Sequence, residues 1–368
     1  MNNNIRVGSL FGIPFFINPS WFLVLALGMF WFGEQFAVIP QFNGLISAIF
    51  GLITALLLFA SVLAHELGHS LMAIARGIRV KSITLFIFGG LALLEKEAQT
   101  PWESFLIAIA GPLVSFLLFG FFSLVQIFIP LPLPLFELCL MLALLNLILG
   151  IFNLIPGLPL DGGNILKAAI WQITGNPNKG LLYASRVGQV FGGLAVIIGG
   201  LAVAGVSQYG SIWTFFIGIF LLQNARRSAQ SALLQDKLER YTAKDAVIPN
   251  SPIAKQGLNV REFVNNYVIG NEKWRKFLVT DEEGKLVGDI ALEDLKTIAT
   301  SVWTETPLQA LVHPVAENMT IAGDRSLLEV AKLIEGENIQ QFTVIGENGM
   351  VLGLLEKSSI INLLSANG

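Results

Sequence analysis

His65-Glu66-Leu67-Gly68-His69 sits inside a stretch, Ile46 to Ala75, that is otherwise Ile, Leu, Ala, Val, Phe, Met, Gly, Ser, Thr and its flanking residues. The stretch is long enough to cross a bilayer as a helix, and it carries two of the three histidines of the 368-residue chain. Histidines at i and i+4 project from one helix face and can grip one Zn²⁺, with the intervening glutamate beside the metal as a base for water. Ionisable groups at membrane depth are costly, so they mark chemistry or transport. A packing role is the alternative, with two interhelical histidines and Glu66 salt-bridged to a neighbour such as Arg76.

Composition places the chain among integral membrane proteins, with 54% hydrophobic and 13% charged residues. The two parts differ. Residues 1–227 hold ten Lys/Arg and seven Asp/Glu, whereas residues 228–368 hold thirteen and nineteen. An apolar part with few charges is thus followed by an acidic one. Neither has the basic excess of a nucleic-acid binder. The single Cys139 excludes an intrachain disulfide.

No cleavable signal peptide is evident at the start, so the first apolar segment reads as a retained anchor. Six spans are predicted, near residues 20–33, 46–75, 102–129, 135–153, 185–205 and 209–225, and residues 5–17 read as strands or an interfacial segment. The ten Lys/Arg of the membrane part all fall on one side of a six-span topology, while loops 34–45, 130–134 and 206–208 have none. The positive-inside rule then predicts both termini in the cytoplasm, with a bacterial plasma membrane as the expected location. Trp21, Trp31 and Trp102 fit an aromatic belt or simple lipid-facing packing.

The fourth span ends in Asn153-Leu154-Ile155-Pro156-Gly157-Leu158-Pro159-Leu160-Asp161-Gly162-Gly163. Two prolines three apart end the helix, and unwound backbone at membrane depth is tolerated only inside protein or beside a water-filled cavity. A catalytic zinc usually takes three protein ligands, and Asp161 is the only acidic residue between Glu137 and Asp236. Asp161 is therefore the candidate third ligand. Capping of a helix beginning near Asn164 is its other reading.

Between the second and third spans, Lys81 to Glu95 alternates in part and carries β-branched and aromatic residues around a Gly-Gly pair. It reads as a short membrane-associated β hairpin whose edge could take an extended substrate strand, or as a re-entrant loop packed around the zinc helix.

These motifs together resemble the site-2 protease family of intramembrane zinc metalloproteases. The likeness covers about residues 1–227 and includes the Gly8-Ser9-Leu10-Phe11-Gly12-Ile13-Pro14 opening, Phe88-Gly89-Gly90 and Ala110-Gly111-Pro112. It implies one Zn²⁺ per chain held by His65, His69 and Asp161, with Glu66 activating water. It also implies that Asn153 lies near the site and holds the substrate; an interhelical hydrogen bond, as expected for Asn146, is the alternative. The implied activity is hydrolysis of a peptide bond in a membrane-anchored protein, within or beside the bilayer.

Residues 228–243 read as an amphipathic connector, and residues 244–368 contain an internal repeat. Phe277 to Gly288 and Phe342 to Gly353 each read as strand, acidic Gly turn, strand, ahead of a helix. The repeat resembles a tandem pair of CBS domains, an α/β module predicted in the cytoplasm. Ala291, Glu356 and Ser359 depart from the positions with which such pairs hold adenine nucleotides. That departure favours a homo-oligomerising or substrate-docking module over a nucleotide sensor. His313 reads as a surface residue. The rival for the whole chain is a metal-binding or ion-transporting membrane protein regulated by its CBS pair, in which Glu66 would have little need to act as a base.

Overall fold

The computed structural model describes residues 4–40, 42–87, 89–270, 274–337 and 339–366. Phe88 of the Phe-Gly-Gly motif lies outside the described residues. Two compact units divide the chain, Met1–Ala232 and Leu233–Gly368.

The first unit opens with strands β1 (Ile5–Leu10) and β2 (Ile13–Ile17) and helices α1 (Ser20–Phe36) and α2 (Gly44–Ala75). Strands β3 (Val80–Phe86) and β4 (Gly89–Leu94) follow, then α3 (Pro101–Phe128), α4 (Leu133–Asn153), α5 (Asp161–Thr174), α6 (Pro177–Val203) and α7 (Ile212–Arg240). Local chemistry sets the helix ends. The Asn43 side chain accepts the Ile46 N–H at the start of α2, and Thr100 accepts the Glu103 N–H ahead of Pro101 at the start of α3. Pro156 and Pro159 lie in the break between α4 and α5, where no N–H is available to continue a helix.

Five helices among the described residues are long and apolar enough to cross a membrane, at Ser20–Ala37, Gly44–Ala75, Pro101–Phe128, Leu133–Asn153 and Pro177–Val203. The predicted sixth span is the first part of α7, whose apolar run gives way to Gln223-Asn224 and then Arg226-Arg227. The same helix continues through most of the expected connector to Arg240. Leu117, Ile127, Ile148 and Ile197 are exposed on the outer faces of the spans. A surface of that kind suits hydrocarbon rather than water. Trp21 departs from the expected belt because it is buried against Phe22 and Phe59, with ring centroids 5.1 and 4.7 Å away. Trp31 and Trp102 are exposed.

The four strands form one sheet in the order β1-β2-β3-β4. β2 runs parallel to β3, and β3 pairs antiparallel with β4. β3 is therefore an inner strand, and the free edge on this side belongs to β4. Along β4, Leu91 and Leu93 are exposed while Gly90 and Ala92 face inward, a period of two that gives the strand one large and one small face.

The second unit holds two three-stranded sheets, β5-β6-β7 and β10-β9-β8 in spatial order. The first combines β5 (Ile253–Lys255), β6 (Lys276–Thr280) and β7 (Leu286–Ala291); the second combines β8 (Thr320–Ala322), β9 (Gln341–Ile345) and β10 (Val351–Glu356). In each, a short strand runs parallel to the first strand of an antiparallel hairpin. The hairpin turns carry Gly284 and Gly349 at φ +83° and +74°, a left-handed conformation that glycine adopts without steric cost. The copies are unequal in their helices. The second has α9 (Leu327–Glu337) and α10 (Lys357–Ala366); the first has only α8 (Val260–Phe263) and short turns after β7, so the helix expected there is absent among the described residues. Each copy has its own apolar core, around Phe263 and Phe277 in one and Leu327 and Phe342 in the other.

Candidate active site

His65 and His69 lie one helical turn apart in α2 and face α3 and the start of α5. The His65 Nε2 is 3.3 Å from the His69 Nε2, and the Asp161 Oδ2 is 3.0 Å from the first and 3.2 Å from the second. Asp161 comes to this point because the chain breaks after Asn153 and restarts as α5 at Asp161 itself. Leu160 occupies the cap position and makes no side-chain cap bond. The Asp161 carboxylate is turned to the histidines, and the helix starts three residues earlier than expected.

The other ring nitrogens fix the imidazoles. The His69 Nδ1 is 2.6 Å from the Ile107 carbonyl, which can only accept, so Nδ1 carries the proton and Nε2 presents a lone pair. The His65 Nδ1 is 2.9 Å from the Ser115 Oγ, which can accept in the same way. Both partners come from α3, where Pro112 sits inside the helix and leaves the Ala108 carbonyl without its usual donor. With both Nδ1 atoms donating, two Nε2 lone pairs and a carboxylate would face one another, an arrangement that a cation satisfies. Ligands around tetrahedral Zn²⁺, at about 2.0–2.1 Å from it, lie about 3.3 Å apart, close to the observed separations. Gly111 of α3 supplies the room. A Cβ there would strike the His69 Nε2 and come within 2.7 Å of the His65 Nε2.

Glu66 leaves the same turn of α2 toward β4. Its side chain lies against Gly90. Among the described residues Glu66 makes no ion pair with Arg76, the neighbour named in the packing alternative. Asn153 ends α4, and its Nδ2 donates to the Leu149 carbonyl of its own helix at 3.0 Å. Asn146 makes the expected interhelical bond, from its Nδ2 to the Ser61 Oγ at 3.1 Å. His313, in the second unit, is exposed with its Nε2 3.4 Å from Asp294 Oδ1, a partner not visible in its sequence neighbourhood.

The sequence marked Gly90 and Gly111 only as parts of motifs, and Ser115 and Ile107 carried no signal. Serine in an apolar span has many packing uses, and a backbone carbonyl leaves no trace in residue identity.

Over its whole length the chain is 55% identical to "Putative zinc metalloprotease sll0528" of Synechocystis sp., covering 97% of that protein. Residues 53–133 and 131–195 match the description "Peptidase family M50". The chain belongs to peptidase family M50. Among solved structures it is similar to "Site-2 Protease from Methanocaldococcus jannaschii", at 30% identity over 61% of this chain and 95% of that one, with a TM-score of 0.45. A "CBS domain pair/ACT domain protein" of Thermotoga maritima covers 34% of this chain and 98% of its own length, at 16% identity and a TM-score of 0.28. Membership in this zinc metalloprotease family and the donor set of His65, His69 and Asp161 are mutually compatible.

Proposed function

We propose that this M50 member hydrolyses a peptide bond of a membrane-anchored protein, releasing a piece on the cytoplasmic side. The convergence of the His65 Nε2 and His69 Nε2, from a helix of bilayer-spanning length, with the Asp161 Oδ2 within 3.0–3.3 Å carries the reading. These three side chains would hold one zinc per chain. When bound, zinc supplies Lewis acidity, lowering the pKa of water and polarising a carbonyl.

The chain's own residues do the rest. Ile107 and Ser115 hold the imidazoles with their Nε2 lone pairs inward. Glu66 accepts a proton from the attacking water and returns it to the leaving amine nitrogen, the general acid–base role that a carboxylate beside the ligands can fill. Asn153, at the broken end of α4, would donate to a substrate carbonyl if its side chain left the Leu149 carbonyl. A substrate helix must unwind first, because its peptide groups are occupied by their own hydrogen bonds. The free edge of β4 offers backbone groups to an unwound segment. The Lys/Arg distribution supports cytoplasmic termini and a tail on that side, where the two repeated units would act as a CBS-type docking, oligomerising or regulatory module.

Cleavage of a transmembrane substrate co-reconstituted with the wild type and with Glu66→Gln tests the proposal. Wild type should cut and the variant should not. Substrate cut equally by both would remove Glu66 from the chemistry and favour metal binding or transport.

A further inference from the structure

The small face of β4 is turned to Glu66. A Cβ built on Gly90 would overlap the Glu66 Cγ and come within 2.8 Å of its Cδ and 2.9 Å of its Oε1. Two of these atoms belong to the carboxylate itself. Ala92 stands opposite Ile83 in the β3–β4 register, and Gly90 stands opposite Leu85. Ile83 and Leu85 are both buried, so the hairpin is anchored through β3 and β4 cannot drift from the helix easily. On the other face Leu91 and Leu93 are exposed. The alternation Gly90-Leu91-Ala92-Leu93 therefore does more than fit the strand to the surface of the molecule.

We propose that Gly90 is a positioning residue for the general base: the bare backbone at Gly90 forms a shelf that fixes where the Glu66 carboxylate lies. The inference rests on the reading of Glu66 as the base. Glu66 has three rotatable side-chain bonds, and its helix neighbours are the ligand histidines, so α2 alone sets its origin and leaves its carboxylate free to swing. The shelf removes that freedom. The carboxylate occupies space that only a residue without a side chain at position 90 leaves open. A methyl group at residue 90 would push the carboxylate off the shelf while leaving His65, His69, Asp161 and their α3 partners untouched. Misplacement of a catalytic group by about 1 Å can cost about a hundredfold in rate.

The test uses full-length protein in liposomes with a transmembrane substrate. Gly90→Ala should lower kcat by about tenfold to a hundredfold, with KM, zinc content and melting temperature unchanged. Gly120→Ala in α3, where a Cβ meets nothing within 4 Å, is the steric control and should behave as wild type. In a Glu66→Gln background, Gly90→Ala should cause no further loss, since a residue acting through the carboxylate has nothing left to position. Full activity of Gly90→Ala with Glu66→Gln inactive would overturn the inference and leave the base assignment standing. An active Glu66→Gln would instead overturn the base assignment. Loss of zinc or a raised KM at constant kcat in Gly90→Ala would make the strand a packing or docking element and overturn the positioning role.

Discussion

The Asp161 carboxylate and the His65 imidazole are 96 residues apart in the chain and meet at 3.0 Å, Oδ2 to Nε2. A break between two helices makes this possible. The carboxylate sits on the first residue of α5, so small changes in how the Pro156–Pro159 segment turns would move it past the histidines.

Metal content follows from this geometry. Purified protein should hold about one zinc per chain, measured by plasma mass spectrometry after dialysis, and the double substitution His65→Ala, His69→Ala should abolish it. Stoichiometric zinc retained by the double variant would place the metal elsewhere.

Base and ligand should separate. Glu66→Gln keeps shape and should bind zinc nearly as wild type does while losing most of the rate; a general base contributes roughly 10²–10⁴-fold. Asp161→Ala should lose zinc affinity and activity together. Asp161→Ala with unchanged zinc affinity would return Asp161 to the role of a residue that only begins a helix.

Ser115 supports the His65 ring from α3, at 2.9 Å from Nδ1. Partners of this kind orient ligands, and their loss typically costs about 10–100-fold in metal affinity. Ser115→Ala should therefore weaken zinc retention in a chelator competition by about that factor. Val in place of Ser should do at least as much, because it adds bulk beside the ring. Equal retention by wild type and Ser115→Ala would show the hydroxyl to be incidental.

The tail has its own pH signature. The Thr242 backbone amide donates to Asp245, and so does the Thr242 hydroxyl, both at 2.8 Å, holding this carboxyl below its usual range. A carboxyl lowered in the folded state stabilises fully above its unfolded pKa of about 3.9, and the contribution is lost as pH falls through the lower folded value. Asp245→Asn should lower the melting temperature of the second unit by a few degrees at pH 7, with the gap closing below about pH 4. A gap that stays constant with pH would mean that the capping geometry, not the charge, matters.

Nucleotide binding tests the second unit further. Its cavity of about 830 Å³ is lined by Trp274, Arg275 and Lys276 on one side and Glu356, Ser358 and Ser359 on another. The Glu356 carboxylate accepts from the Gln341 amide and the Ser358 hydroxyl, and it adds a negative charge to the lining. ATP and AMP should bind in the millimolar range or not at all, about −4 kcal/mol at best. Micromolar affinity for either by calorimetry would overturn this expectation.

Much of this protein was legible in the sequence for physical reasons. Long apolar runs must be helices in a bilayer because every backbone group needs an internal partner. The i, i+4 histidines and the paired prolines after Asn153 are local patterns, and each states its geometry without reference to the rest of the chain. Other features depended on contacts between distant segments. The sequence made Asp161 the candidate third ligand with helix capping as its other reading, and the packing of α5 against α3 brings its carboxylate to the histidines of α2. The hairpin could be anticipated from alternation, but its inner strand could not, since the parallel pairing of β2 with β3 joins residues 15–17 to residues 83–85. Trp21 was misread because burial against Phe59 is invisible to composition. Ser115, the Ile107 carbonyl and Gly90 matter through which atoms lie next to them, and adjacency across a fold is what tertiary structure alone decides.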